Sequence, residues 1–193
     1  GVALETAVAK KGRIAGTATE NMMSYNNSSL VDGLSVTASY VPSNATQKES
    51  VVSLALAYTG VEGLTVGYAQ DDNGLAGTSA IDYDTMYVKY AYGPVTAGYQ
   101  QSSQDANGST NDDEFTAMGV TYAVSDSLSI GYTVSEYDDD NNTADEESTS
   151  INFSYTMGSM TLAGAHVTVD NQGADSAAIN DTSGYALDLS FAF

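Results

Sequence analysis

Few side chains in this sequence are equipped for covalent chemistry. There is no cysteine and one histidine, His166, so a thiolate metal site is excluded and only one imidazole is available as a general base. A Ser and an Asp beside His166 would make a hydrolytic triad, but no nucleophile motif surrounds any serine, and a lone His in an alternating segment is more often interfacial or structural. The reading is therefore not an enzyme. Carboxylates are the other candidates. There are 25 acidic against 5 basic residues, a net charge of −20, and most of the acids fall within 70–84, 101–114, 135–149 and 170–184. The runs DDDNNTADEE, with Asp138, Asp139 and Asp140, and DDNG carry hard oxygen ligands suited to Ca²⁺, the one candidate cofactor. Neither matches the twelve-residue Ca²⁺ loop with glycine at its sixth position, and a solvated acidic surface is the plainer expectation. No basic stretch is present, which argues against nucleic acid as a partner.

The elements that carry these residues follow from a period of two. In LSVTASY, Leu34, Val36, Ala38 and Tyr40 share one face, and Ser35, Thr37 and Ser39 the other. The pattern returns in VVSLALAY, LTVGY, MYVKYAY, VTAGY, MGVTY, LSIGYTV, INFSYTM and the terminal YALDLSFAF. With less regular strands at ENMMSYNN and MTLAGAHVTV, eleven strands are predicted, and residues 1–16 hold either a twelfth or the end of a loop. No 3.6-residue stripe of useful length competes. Connections alternate between short (VDG, GVEG, GP, SDS, GS) and long. Tyr25, Tyr58, Tyr92, Tyr122 and Tyr155 recur before the short ones at spacings of about 30–34 residues, one hairpin per repeat. The expectation is one domain over 1–193, an antiparallel up-and-down meander.

The environment of each face decides between a soluble sheet and a membrane barrel. In the clean strands the first face is aliphatic, Met, Phe, Tyr or Ala. The interleaved face is mainly Ser, Thr, Gly and Ala, with Tyr87, Asn152 and two charges, Lys89 and Asp188. Charged residues make up 16% of the chain, against roughly 25% in soluble domains. A solvated sheet face would carry many Lys, Arg and Glu for solubility and edge protection. Small neutral side chains instead suit the inside of a water-filled barrel, and a charge-free apolar face suits lipid, where each charge near the midplane would cost about 2–4 kcal/mol. The fold class is thus all-β, a transmembrane antiparallel β-barrel. Lys89, Thr96, Gln100, Thr121, Asn152, Ser154, Thr156 and Asp188 are its candidate pore lining. No apolar run approaches a membrane helix and no signal peptide is visible; an exported chain has lost one, or this is part of a longer protein.

Three features then carry a family resemblance: the phrase YNNSSLVDGLSVTASY, the aromatic-turn strand starts YTGVEGLTVGY and YAVSDSLSIGY, and the ending YALDLSFAF, closing on Phe193. From about residue 17 onward the chain resembles the C-terminal portion of general bacterial porins of Gram-negative outer membranes, particularly the α-proteobacterial type. The resemblance implies sixteen strands, a homotrimer, a constriction loop, lipopolysaccharide around the acidic loops, and passive diffusion of small hydrophilic solutes. Lys89 fits a basic wall position of such porins, and Lys10, Lys11 and Arg13 are constriction candidates, with GRIAGTATE as the loop exit. Eleven strands would match the final eleven of sixteen; a complete barrel of twelve is the alternative. The acidic mouth leads us to expect mild cation preference. The alternative function is a non-conducting barrel whose acidic loops serve adhesion or surface structure.

Overall fold

A computed structural model describes residues 22–43, 49–72, 74–77, 80–107, 112–173 and 181–192. The constriction candidates Lys10, Lys11 and Arg13, residues 1–16 with their two readings as a strand or a loop end, and Phe193 lie outside these residues. Among those described, eleven strands form: β1 (Met23–Val31), β2 (Leu34–Val41), β3 (Val51–Tyr58), β4 (Leu64–Asp72), β5 (Ile81–Tyr92), β6 (Val95–Ala106), β7 (Asp113–Ala123), β8 (Leu128–Asp139), β9 (Glu146–Met157), β10 (Met160–Asp170) and β11 (Thr182–Phe191). They make one sheet in strict sequence order, each strand antiparallel to the next, with β1 and β11 at its two ends. The meander expected from the alternation is the observed topology.

The short turns lock into a seam. Each turn offers a carbonyl to an N–H one strand further on: Thr59 N donates to Gly33 O (2.7 Å), Ala91 N to Gly63 O (2.8 Å), Ala123 N to Pro94 O, Thr156 N to Ser127 O and Ala192 N to Ser159 O (2.8 Å each). These bonds continue the ladder past the strand ends and leave fewer bare backbone groups at that rim. Gly33 is required there twice over. Its φ is +76°, and a Cβ would sit 2.4 Å from the Gly60 backbone of the neighbouring turn.

The two faces separate as expected, with the apolar one outside. Val88 (39%), Ile130 (47%) and Phe153 (38%) are exposed, whereas Ala117 (2%) and Thr133 (5%) on the opposite face are buried. On β9 the apolar stretch from Met157 to Ile151 covers about 20 Å of strand at the usual rise per residue. Above it, Gln70, Asp84, Gln101, Thr116, Glu136 and Thr149 occupy the same face, so the greasy surface is a band with polar groups beyond it. Tyr58, Tyr92, Tyr122 and Tyr155 mark its short-turn edge, and Tyr68, Tyr99, Tyr132 and Tyr185 lie toward the other. Tyr25 departs from its expected place before a turn. It pairs with Ala38, because a register shift between Asn27 and Val31 inserts extra residues below it.

The long connections are shorter than the sequence suggested, and the acids lie differently. Asp71, Asp72, Asp82, Asp84, Asp105, Asp113, Glu114, Glu136, Asp138, Asp139, Glu146, Glu147 and Asp170 all belong to strands rather than loops. The strands project past the apolar band, where both faces meet water and alternation no longer marks them. Neighbouring connections zip together at this end: Glu49 N donates to Gly74 O (3.1 Å), Asn107 N to Ala80 O (2.9 Å) and Asp140 N to Asp112 O (3.1 Å).

Candidate pore wall and its acidic mouth

The antiparallel ladder fixes which side chains share the polar face. One row crosses the sheet as Ala91, Thr96, Thr121, Gly131, Asn152, Ala165 and Ala186. A second runs through Thr65, Lys89, Gly98, Gly119 and Thr133. A third joins Gly67, Tyr87, Gln100, Ala117 and Ser135, and a fourth Ser129, Ser154, Ala163 and Asp188. Thr156 faces Thr161 across β9 and β10, their hydroxyl oxygens 3.1 Å apart. All eight wall candidates therefore lie on the face opposite the apolar band. The sheet spreads them over five strands, β5, β6, β7, β9 and β11, so they make a surface rather than a cluster. Lys89 is exposed and flanked by two glycines on its far side, Gly98 and Gly119.

Small residues on this face let larger neighbours lie down on the sheet. A Cβ on Gly67 would meet Tyr87 Cε1 at 2.2 Å, so the tyrosine ring occupies that space. Asn152 does the same over Gly131, where its Oδ1 would stand 2.6 Å from an added Cβ, and its buried Nδ2 has no hydrogen-bond partner. On the outer face Phe153 makes such a joint over Gly164.

Toward the long-connection end the same face changes character, which the sequence reading missed. Val41 and Val51 are buried at 1%, Phe115 at 6%, and Asp71 at 7% accepts a 2.6 Å hydrogen bond from Ser53 Oγ. Tyr137 donates its hydroxyl proton to Asp113 at 3.0 Å. Desolvation holds the Asp113 carboxyl above the usual carboxylate range; the Tyr137 bond lowers it, and Asp139, Asp112 and Asp140 push it up again. Desolvation and Asp113 likewise raise the Tyr137 phenol. The signal for these inward residues was present in their position between the outward Glu114 and Thr116 and the outward Glu136 and Asp138, where polar neighbours on both sides hide the period.

Carboxylates oppose one another directly at this rim: Asp82 faces Asp105, Glu114 faces Asp138, Asp113 faces Asp139, and Glu136 faces Glu147. The Ca²⁺ candidates do not converge. Asp138 and Asp139 fall on opposite faces of β8, and Asp139 accepts bonds from Asn141 N (2.9 Å) and from the Asn141 and Asn142 amides (3.1 and 2.7 Å). Among the described residues no three His, Cys, Asp or Glu are grouped to hold a metal ion. His166 faces the apolar side, between Ile151 and Tyr185, with ring centroids 4.5 Å apart from Tyr185. Its cross-strand neighbours provide neither the serine nor the aspartate of a triad.

A family model described as Gram-negative porin matches residues 3–175. No curated protein sequence matches the chain. Among solved structures, the chain is similar to an outer-membrane-expressed OmpT of Vibrio cholerae, with a TM-score of 0.59, 16% identity, and coverage of 88% of this chain and 64% of that one. A Rh. blastica porin mutant matches with a TM-score of 0.60 and 15% identity over 90% of this chain and 56% of that one. The NanC porin matches with a TM-score of 0.53 and 11% identity over 89% and 92%. At these identities the likeness is one of fold, and the chain spans less than two thirds of the length of the first two.

Proposed function

The chain belongs to the Gram-negative porin family and lies in the bacterial outer membrane, and from that premise we propose that it forms wall of a water-filled channel for passive diffusion of small hydrophilic solutes and ions. The observation that supports this most is the division of faces. Apolar side chains point out across a band suited to lipid, and hydroxyls, amides and glycines point the other way. Such a wall keeps a path hydrated without binding solutes tightly, so width and charge select among them. Nothing in this mechanism needs a nucleophile, a metal or a cofactor.

Two edges, β1 and β11, cannot stand open in hydrocarbon, because each unpaired backbone group there would cost several kcal/mol. The working channel therefore pairs both edges with further strand, as bacterial barrels of even strand number do. We carry over from the family resemblance that the barrels assemble as a homotrimer. The acidic rim beyond the band faces lipopolysaccharide on the outside and the channel mouth within. Planar-bilayer recording of the native protein tests the reading: conductance steps are expected, grouped in threes for a trimer. A correctly folded protein that gives no steps would instead be a barrel with an adhesive or structural role.

A further inference from the structure

The polar face carries a place where ring and amide chemistry meet at one level of the wall. Tyr87 is the one described aromatic of that face whose strand neighbours, Met86 and Val88, lie within the apolar band. Its ring rests on Gly67, where a Cβ would be, and the residue keeps 38% exposure. One side of the ring is thus laid on the sheet, and what remains accessible borders the lumen. Directly across the ladder from Tyr87 stands Gln100. Its Nε2 donates to Ser102 Oγ at 3.2 Å, and Ser102 Oγ lies 2.7 Å from Thr85 Oγ1. The ring leans over β4 and the network holds the amide toward Ser102 on β6, so the two stand at one level of the wall on either side of β5. Lys89, exposed two residues along β5 on the same face, adds a donor.

Resting on the channel reading above, we propose that this stretch of β5 and β6 is a weak subsite for neutral polyhydroxylated solutes of the saccharide class. A pyranose ring has apolar C–H faces and a rim of hydroxyls. The Tyr87 ring offers a flat apolar surface to the first, and Gln100 and Lys89 offer hydrogen-bond donors and acceptors to the second. An anion would find one cation here in a wall of little charge, and an apolar solute would find too much polar surface. A neutral sugar matches both parts. Weak binding is what a channel needs, since a solute must leave as readily as it enters.

The test uses the native protein in planar bilayers, with maltotriose as probe and polyethylene glycol of equal hydrodynamic size as the control for simple obstruction. Maltotriose is expected to reduce ionic current in a saturable way, and the glycol only in proportion to its concentration. Tyr87→Ala should raise the half-blocking concentration about fivefold, the loss expected for one aromatic contact, while Tyr87→Phe, which keeps the ring, should stay within about twofold of the parent. Tyr87→Ala uncovers Gly67 and risks misfolding, so Gln100→Ala, which leaves that joint intact, provides an independent arm and should also weaken block. Conductance steps with identical responses to sugar and glycol, or block that neither Tyr87→Ala nor Gln100→Ala weakens, would overturn the subsite and leave the channel standing. Absence of any steps would overturn both.

Discussion

The residues that shape this wall most are the smallest. Gly67 is where a side chain would collide with Tyr87, and Gly131 where one would collide with Asn152. Each glycine gives up its own side chain so that a cross-strand neighbour can lie flat, and the lumen stays open in consequence. Gly67→Val should therefore act on function as well as stability. The added methyls would lever the Tyr87 ring off the sheet toward the pore, at a cost of roughly 1–3 kcal/mol of overpacking. A smaller single-channel conductance is expected in bilayers, together with a lower unfolding midpoint. Unaltered conductance would mean that the ring had found room elsewhere. Asp113 and Tyr137 lie on the same face beyond the apolar band, where Asp113 is kept above the ordinary carboxylate range by desolvation and by Asp139, Asp112 and Asp140.

At the level of the strand, a single odd-or-even choice decides the environment of every side chain. Ile130 and Ser154 lie on adjacent strands but on opposite faces. Arginine at the two positions is expected to give opposite results. Ile130→Arg puts a charge in the lipid-facing band and should cost about 2–4 kcal/mol, read as a shifted denaturant midpoint for unfolding from vesicles. Ser154→Arg puts the same charge in the lumen, where water can reach it, and should change conductance with little effect on that midpoint. Equal destabilisation at both sites would contradict the assignment of faces. The seam of turn carbonyls adds a second strand-level device, since it ties each short turn to the strand after next and holds the sheet in register at the end where connections are shortest.

For the whole molecule the governing quantity is charge. The chain carries a net charge of −20 from 25 acids and 5 bases, and thirteen of the described acids lie on strands at the end where these leave the apolar band. In the proposed channel, facing carboxylates at that rim would make a negative mouth that raises local cation concentration and lowers that of anions. Reversal potentials in a KCl gradient are expected to show preference for K⁺ over Cl⁻. The preference should fade in concentrated salt, where screening shortens to about 3 Å at 1 M. An anion-selective reversal potential would remove the mouth as the source of selectivity.

The sequence alone determined the strands, their order and which face meets lipid. A period of two records the environment of each residue wherever the two sides of a sheet differ, as from Leu34 to Tyr40 and from Met86 to Tyr92. It failed where both sides are wet. The strand ends at Asp82, Asp113 and Tyr137 read as loop, and Tyr25 was placed at a turn it does not reach. The tertiary structure decided what lies across from what: Tyr87 on Gly67 beside Gln100, Asn152 on Gly131, His166 against Tyr185. Those pairings depend on register between strands, and register is a property of two segments together that neither one carries in its own pattern.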